Sequence, residues 1–237
     1  MTGPISRRSF MGKTAAAGAL VSSVSILNSR GQKGIKEFKL ALIGCGGRGR
    51  RASQNCIEAA GLLGVGARLV AVADWFEAPS RGCGASMGVP EDKCFWGADA
   101  YRKIMETDAD IVLMATPPAF RPLHLEAAVE AGKHAFIEKP VAVDPPGVRR
   151  IIAAGERAKV KGLTIVAGTQ RRHQSNYRQA AHLIHNGAIG DVLGGQIYWL
   201  GGVPWVKRRE PGQSDADYLV RNWLNWSMMS GDHICEQ

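Results

Sequence analysis

Short apolar runs alternate with amphipathic stretches between residues 38 and 168, a pattern typical of strands and crossover helices in a parallel sheet. The predicted strands span residues 38–43, 68–73, 111–115, 134–138 and 163–167. Pro122 and Gly132 flank a predicted helix over residues 123–131, and another helix follows Asp144 at Pro145. The pattern therefore predicts an α/β fold with a doubly wound parallel sheet over residues 37–168.

The pattern changes at about residue 176. A predicted helix over residues 177–186 leads to a predicted strand over residues 192–200, and a loop region with Trp205, Trp223 and Trp226 follows. A lone strand cannot form a sheet that covers its own apolar face. We therefore expect residues 169–237 to be the beginning of an α+β second domain that is incomplete in this chain.

A glycine-rich turn follows the first predicted strand directly. Gly44-Cys45-Gly46-Gly47-Arg48-Gly49 matches G-x-G-x-x-G, and a helix-compatible stretch comes next. Gly44 permits a tight turn, Gly46 lets the backbone approach a pyrophosphate, and Gly49 lets helix and strand pack closely. The anion would lie at the helix N-terminus, beside Arg48. This context predicts a Rossmann-type dinucleotide-binding loop.

An acidic residue, Asp74, ends the second predicted strand. A carboxylate there can accept hydrogen bonds from both hydroxyl groups of the adenosine ribose, which favours NAD over NADP. Arg81 lies nearby in the sequence, and its guanidinium could receive a 2′-phosphate instead. The predicted cofactor is therefore NAD, with NADP left possible.

Two further motifs follow predicted strands. Thr116-Pro117 comes after residues 111–115, with His124 a short turn later, and Glu138-Lys139-Pro140 begins at the end of residues 134–138. In an open parallel sheet the ligand lies across the carboxyl ends of the strands. Both motifs are therefore expected beside the bound dinucleotide.

At these motifs residues 38–237 resemble the Gfo/Idh/MocA family, which includes glucose-fructose oxidoreductase and inositol dehydrogenase. The most specific element is the glycine loop paired with Glu138-Lys139-Pro140 at this separation. The resemblance implies that Lys139 reaches the nicotinamide ribose and the reacting hydroxyl. An ammonium at that point favours a developing alkoxide. The resemblance further assigns five residues to the cofactor: Thr116, Pro117, His124, Glu138 and Gln170. It assigns three more to a polar substrate: Arg171, Arg172 and His173.

The family also has an Asp-x-x-x-His motif whose histidine commonly accepts the proton, and here the sequence departs from it. Asp232 is followed four residues later by Glu236, not by histidine. Either His233 substitutes, which makes Asp232 and His233 the catalytic pair with Lys139, or Glu236 takes the place of the family's aspartate and the histidine would lie beyond Gln237. The second alternative is favoured because family members continue for another hundred residues or more.

The amino terminus is typical of an export leader. Adjacent Arg7 and Arg8 are followed by Phe10 and by a weakly apolar stretch over residues 15–27, which predicts a twin-arginine signal over residues 1–30. That stretch is too short to cross a hydrocarbon core, which needs about 20 residues. We therefore expect a periplasmic or otherwise exported protein, with the twin-arginine machinery as a partner.

Net charge, cysteines and histidines bear on nucleic-acid binding, disulfides and metal sites. The net charge is +9, but four of the 30 basic residues and none of the 21 acidic ones lie in the first 30 positions, and no basic run is interleaved with aromatic residues. Nucleic acid is therefore not an expected partner. The five cysteines form no C-x-x-C pair and are interpreted as reduced packing thiols. His182 and His185 lack further ligands nearby, so no metal site is predicted.

The leading hypothesis is an NAD(P)-dependent oxidoreductase that acts on a sugar, cyclitol or related polyol, with a possible homo-oligomer in the full-length form. One alternative is an exported NAD-dependent glycosidase of the same family. Lys139 argues against it, because a valine replaces this lysine in such glycosidases. The other alternative is a nucleotide-binding fragment without catalysis.

Overall fold

The computed structural model describes residues 37–202 and 204–236. Within them, one sheet of six parallel strands has the order β3-β2-β1-β4-β5-β6. The strands are β1 (Glu37–Ile43), β2 (Gly66–Asp74), β3 (Cys94–Trp96), β4 (Ile111–Met114), β5 (His134–Glu138) and β6 (Ile165–Gly168). This order is that of the doubly wound nucleotide-binding sheet, and the predicted fold class is confirmed. The predicted leader over residues 1–30 lies outside the described residues.

Helices connect the strands and continue beyond β6. They are α1 (Gly47–Leu62), α2 (Glu77–Met87), α3 (Ala100–Met105), α4 (Arg121–Glu130), α5 (Pro145–Val160), α6 (Ser175–His185), α7 (Asp215–Arg221), α8 (Ser227–Ser230) and α9 (Asp232–Glu236). The described residues contain no helix with the length and apolar character needed to span a bilayer. Asp144 caps α5, because its side chain accepts a hydrogen bond from the Gly147 amide.

The core lies on both faces of the sheet. Along β1, Leu40 and Leu42 pack into one apolar cluster, whereas Ala41 and Ile43 pack into the other, and all four are at most 3% exposed. Successive side chains of a strand point to opposite faces, so a strand covered by helices on both sides has a continuous apolar run. This explains why the apolar runs located five of the six strands to within two residues.

The sequence analysis missed one strand and predicted another that does not form. The three-residue strand β3 was missed, because Cys94–Trp96 is too short to give a periodic signal. The strand predicted over residues 192–200 is wrong: no strand forms there, and Leu193, Ile197 and Leu200 are more than 90% exposed. The sequence has strand-forming residues at these positions, but the described residues provide no neighbouring strand that pairs with them.

Candidate active site

The carboxyl ends of the parallel strands bring the candidate residues to one edge of the sheet. β1 lies beside β2 on one side and beside β4 on the other, so the connections leave β1 and β4 in opposite directions. Such a switch point opens a crevice where ligands bind. The residues at this edge end or follow β1, β2, β4, β5 and β6 respectively: Gly44 to Gly49, Asp74, Thr116 and Pro117, Lys139, and Gln170.

The glycine loop is shaped by contacts with its neighbours. Gly44 has φ +99°, and a Cβ on it would lie 2.7 Å from the Ala115 carbonyl carbon, so the loops after β1 and β4 touch. A Cβ on Gly49 would lie 1.9 Å from the Gly44 carbonyl oxygen. A Cβ on Gly46 would meet nothing within 4 Å. Packing therefore requires the first and third glycines, whereas the second leaves an open surface.

That open surface lies at the start of α1. Gly46 is the N-cap and supplies no side-chain hydrogen bond, and the first turn has no acidic residue. The first N–H groups of a helix have no partner within the helix and attract anions. A pyrophosphate therefore fits the backbone surface at Gly46 and Gly47, which is the space that a side chain on Gly46 would occupy.

Asp74 is held against this loop by two backbone groups. Its Oδ2 accepts a hydrogen bond from the Cys45 amide at 2.7 Å, and its Oδ1 accepts one from the Phe76 amide at 3.0 Å. Burial raises the pKa of Asp74 above its ordinary value, although these backbone bonds act in the opposite direction. Each carboxylate oxygen keeps a second acceptor site, so the ribose hydroxyls of a dinucleotide can bind there.

Arg81, the candidate to bind a 2′-phosphate, forms ion pairs with two carboxylates. Its Nε donates to Glu77 at 2.8 Å, its Nη1 pairs with Glu91, and its guanidinium lies 4.9 Å from the centre of the Trp96 ring. Two carboxylates therefore compete with any phosphate for this cation.

Behind the loop after β4, Thr116 is supported by His124. Thr116 Oγ1 lies 3.3 Å from His124 Nδ1, and the imidazole packs against the rings of Tyr101 and Phe120. Burial, and secondarily the Arg121 guanidinium, lowers the pKa of His124 to about 4. The histidine is 5% exposed, so it is a neutral, buried partner of Thr116 with little surface left for a ligand.

Glu138, the last residue of β5, is paired with Arg48 of the glycine loop. It is 4% exposed, and its Oε1 lies 2.6 Å from Nη2 of the half-exposed Arg48, although the geometry is not that of a hydrogen bond. An ion pair therefore joins the glycine loop to the end of β5.

The partner of Lys139 is Glu236. Lys139 Nζ lies 3.2 Å from Glu236 Oε1 and also donates to the Glu236 carbonyl oxygen. The lysine side chain is 39% exposed, so a ligand in the crevice can reach the ammonium. The contact places α9 at the edge of the sheet, beside the residue expected to act on the substrate.

Asp232 and His233 lie apart from this contact. Both are exposed, the Asp232 amide donates to Ser230, and Asp232 Oδ1 accepts from the His233 amide. Among the described residues, the carboxylate bonded to Lys139 is that of Glu236, and neither Asp232 nor His233 forms a hydrogen bond with the lysine. A catalytic role for this pair stays a prediction without a contact that supports it.

The residues assigned to the substrate lie in and just after the short 3₁₀ segment Gln170–Arg172. Gln170, Arg172 and His173 are exposed, and the Arg171 guanidinium lies 4.8 Å from the centre of the Trp199 ring. Their roles in binding cofactor or substrate also stay predictions.

Sequence reasoning missed Arg121, a buried cation whose guanidinium donates to backbone carbonyls on both sides of Lys139 and to Thr116. One signal was present: apart from His124, Arg121 is the one charged or titratable residue between Asp110 and Glu126. A charged residue placed alone in an apolar stretch is rarely buried unless its donors have partners.

Sequence reasoning also missed the contacts that attach residues 204–236 to the edge of the sheet. Trp75, the residue after Asp74, donates from Nε1 to Asp217 Oδ1 at 2.7 Å. The Arg221 guanidinium lies 5.8 Å from the centre of the Phe76 ring. These pairs are separated by more than 140 residues, so no local pattern could indicate them.

No group of His, Cys, Asp or Glu side chains suited to a metal ion occurs in residues 37–202 and 204–236. All five cysteines are free thiols, and Cys45, Cys83 and Cys94 are buried in one apolar cluster.

Comparison with protein families matches residues 38–166 to GFO_IDH_MocA, described as an oxidoreductase family with an NAD-binding Rossmann fold. Inositol 2-dehydrogenase of Klebsiella pneumoniae (strain 342) is 32% identical over 66% of this chain and 44% of that enzyme. The scyllo-inositol 2-dehydrogenase (NAD(+)) of Bacillus subtilis (strain 168) is 26% identical over 77% of this chain and 48% of that enzyme. A crystal structure of KijD10, a 3-ketoreductase from Actinomadura kijaniata in complex with NADP, has a TM-score of 0.54 at 25% identity, and the match covers 65% of this chain and 46% of that one. The matches to these three relatives span slightly less than half of each relative's length.

Proposed function

Because the chain belongs to the Gfo/Idh/MocA oxidoreductase family, we propose that it binds NAD in the crevice at the carboxyl edge of its sheet and serves hydride transfer to or from a sugar, cyclitol or related polyol. The observation that carries this proposal is the convergence of the glycine loop, Asp74, Thr116 and Lys139 on one switch point. Relatives named as inositol dehydrogenases support a polyhydroxylated substrate.

The choice of NAD rests on Asp74 and on the ion pairs of Arg81. A 2′-phosphate beside the Asp74 carboxylate would bring two like charges together, which is unfavourable. The guanidinium that could offset this repulsion is already paired with Glu77 and Glu91. The dinucleotide with free ribose hydroxyls therefore fits this site better.

The reacting end of the site is assigned to Lys139. The bound nicotinamide supplies the hydride acceptor or donor. Lys139 holds its ammonium where a proton leaves or joins the substrate oxygen, and its positive charge stabilises a developing alkoxide. Glu236 orients that ammonium, which supports the interpretation that Glu236, rather than Asp232, takes the place of the family's aspartate.

Binding of NADH and NADPH tests the cofactor assignment. We expect the chain to bind NADH at least about tenfold more tightly, a difference of about 1.4 kcal/mol or more. The substitution Asp74→Ala removes the carboxylate and should abolish most of this preference, as measured by isothermal titration calorimetry. Tighter binding of NADPH by the unaltered chain would contradict the assignment of NAD.

Turnover tests the assignment of Lys139. With inositols and aldoses as substrates, Lys139→Met should lower kcat by about 100-fold or more, the loss typical of removing one group that stabilises an oxyanion. The matched control is Lys159→Met, at an exposed lysine on α5. A chain that binds NADH but oxidises no polyol would instead support the alternative of nucleotide binding without catalysis.

The proposal places the protein outside the cytoplasm, carried there by the twin-arginine machinery. Arg7, Arg8 and the apolar stretch that follows support this localisation. Fractionation of cells that produce the protein should recover it in the periplasm, and Arg7→Lys with Arg8→Lys should retain it in the cytoplasm. Recovery of both forms in the cytoplasm would refute export by this route.

Assembly through the second domain is proposed for the full-length form. The large apolar side chains exposed between residues 192 and 200 support it, because surfaces of this kind mark contacts with other segments or chains. Light scattering on the full-length protein should give a mass above that of one protomer, and a monomer would contradict it.

A further inference from the structure

Arg121 is buried at the start of α4. It is 4% exposed, and burial lowers the pKa of its guanidinium to about 10, so the group stays charged at neutral pH. A buried charge is costly unless its hydrogen-bonding groups are satisfied. The burial of Arg121 therefore indicates that its contacts have a specific role.

Those contacts are backbone carbonyls of two different loops. Nε and Nη2 donate to the Thr116 carbonyl at 2.9 and 2.7 Å. Nη1 donates to the Glu138 carbonyl at 2.8 Å and also to the Pro140 carbonyl. The residues bonded to Nη1 flank Lys139. One planar group thus fixes the loop after β4 and the loop after β5 relative to each other.

The guanidinium also lies among carboxylates whose charge it offsets. Glu236 and Glu138 are its principal electrostatic partners. Within the part of the chain that the structure describes, Glu236 Oε2 and Glu138 Oε1 are buried and have no hydrogen-bond donor of good geometry. The cation therefore stabilises the two acidic groups that contact Lys139 and Arg48.

A lysine could not replace these contacts. The guanidinium presents five donors in a rigid plane, whereas an ammonium is a compact point charge on a flexible chain. Three of the bonds described above leave Arg121 in two diverging directions, toward Thr116 and toward Glu138. The spacing between the loops consequently depends on the shape of arginine, not only on its charge.

We infer that Arg121 is a positioning residue for the nicotinamide half of the dinucleotide, because it holds Thr116 and Lys139 in register on the two loops that this half must contact. This inference rests on the proposed function. The adenosine half depends instead on the glycine loop and Asp74, neither of which bonds to Arg121. Loss of Arg121 should therefore weaken binding of the nicotinamide half and leave binding of the adenosine half unchanged.

The test compares binding of NADH with binding of ADP-ribose, which lacks the nicotinamide. We expect the unaltered chain to bind NADH about tenfold more tightly than ADP-ribose, and Arg121→Lys and Arg121→Gln to reduce this ratio to about two. Affinity for ADP-ribose should stay within about threefold of the original value. Arg150→Lys is the matched control, since Arg150 is half-exposed and pairs with Glu126 on the surface, and it should leave both affinities unchanged.

Every outcome of this titration is informative. A chain that binds neither ligand would refute the proposed function itself. Binding of both ligands with an unchanged ratio in the Arg121 variants, or an equal affinity for both ligands in the unaltered chain, would refute the positioning role alone. Circular dichroism accompanies the titrations. If both variants fail to fold, or lose both affinities in parallel, Arg121 maintains the fold and the inference is overturned.

Discussion

Residues 37–168 and residues 169–236 carry apolar runs of similar composition and use them differently. In β4, Val112, Leu113 and Met114 are at most 1% exposed, because strands lie on both sides and helices cover both faces. Between residues 192 and 200, Leu193 and Ile197 are almost fully exposed. The comparison shows that strand-forming residues give a strand only where a neighbour supplies the hydrogen bonds and the cover.

The second region is nevertheless ordered where it meets the first. Asn222 is 1% exposed and bonds to the backbone of Lys207 and Tyr218, and α7 and α9 reach the edge of the sheet through Asp217 and Glu236. The region also buries the apolar side chains of Val220 and Met229. The first region holds both apolar core clusters, whereas the second contributes side chains to the candidate site.

Hydrogen exchange measures the largest expected difference between the regions. Amides of β4 should be protected at least about a thousandfold more than those of Ile197 and Leu200, because core strands open only with most of the global unfolding free energy. Exchange followed by mass spectrometry or NMR resolves both segments. Comparable protection would show that residues 192–200 are paired in solution, and would remove the contrast.

Within the first region, Gly49→Ala should cost about 3 kcal/mol or more of unfolding free energy. The new Cβ would lie 1.9 Å from a backbone oxygen, which cannot move aside as a side chain can. Gly46→Ala is the matched control, since its Cβ meets nothing within 4 Å, and it should fold normally while weakening dinucleotide binding. Urea unfolding of both variants gives the comparison, and equal stabilities would contradict the packing argument.

The buried His124 makes the unfolding free energy depend on pH, by roughly as much as Gly49→Ala changes it. Unfolded chains protonate histidine below about pH 6.5, whereas folded His124 does so only near pH 4, so its contribution is complete above pH 6.5 and is lost as the pH falls to 4. The loss is about 3 kcal/mol. Stability measured at pH 7 and pH 4 should therefore fall more in the unaltered chain than in His124→Gln, and parallel losses would refute the assignment.

In the second region, Asn222→Ala should cost about 2 kcal/mol of local stability, because it leaves the Lys207 amide without its buried partner. Asn225→Ala removes a single bond to Trp205 at an exposed position and should change little. Limited proteolysis of residues 204–236 reports the effect, and NADH binding checks that the sheet is intact. Equal cleavage of the two variants would contradict the buried role of Asn222.

The sequence predicted most of the sheet because buried parallel strands leave an unbroken apolar signal. It predicted the glycine loop because the positive φ of Gly44 and the contact of Gly49 with the Gly44 carbonyl oxygen both arise within the loop itself. It could not predict Arg121 or the pairing of Lys139 with Glu236. Those contacts depend on where loops from different strands meet, which only the packed structure determines. It placed a strand over residues 192–200 because local propensity carries no information about a neighbour.

The contact between Lys139 and Glu236 joins residues 97 positions apart, and this separation has a consequence for how the protein is made. The six strands are all synthesised by Gly168. At about 5 to 20 residues per second, a ribosome needs roughly 3 to 14 seconds more to reach Glu236. During that interval a nascent chain can already fold the nucleotide-binding sheet and take up a dinucleotide, while its lysine still lacks the carboxylate that orients it. Cofactor loading can thus precede completion of the candidate site during translation.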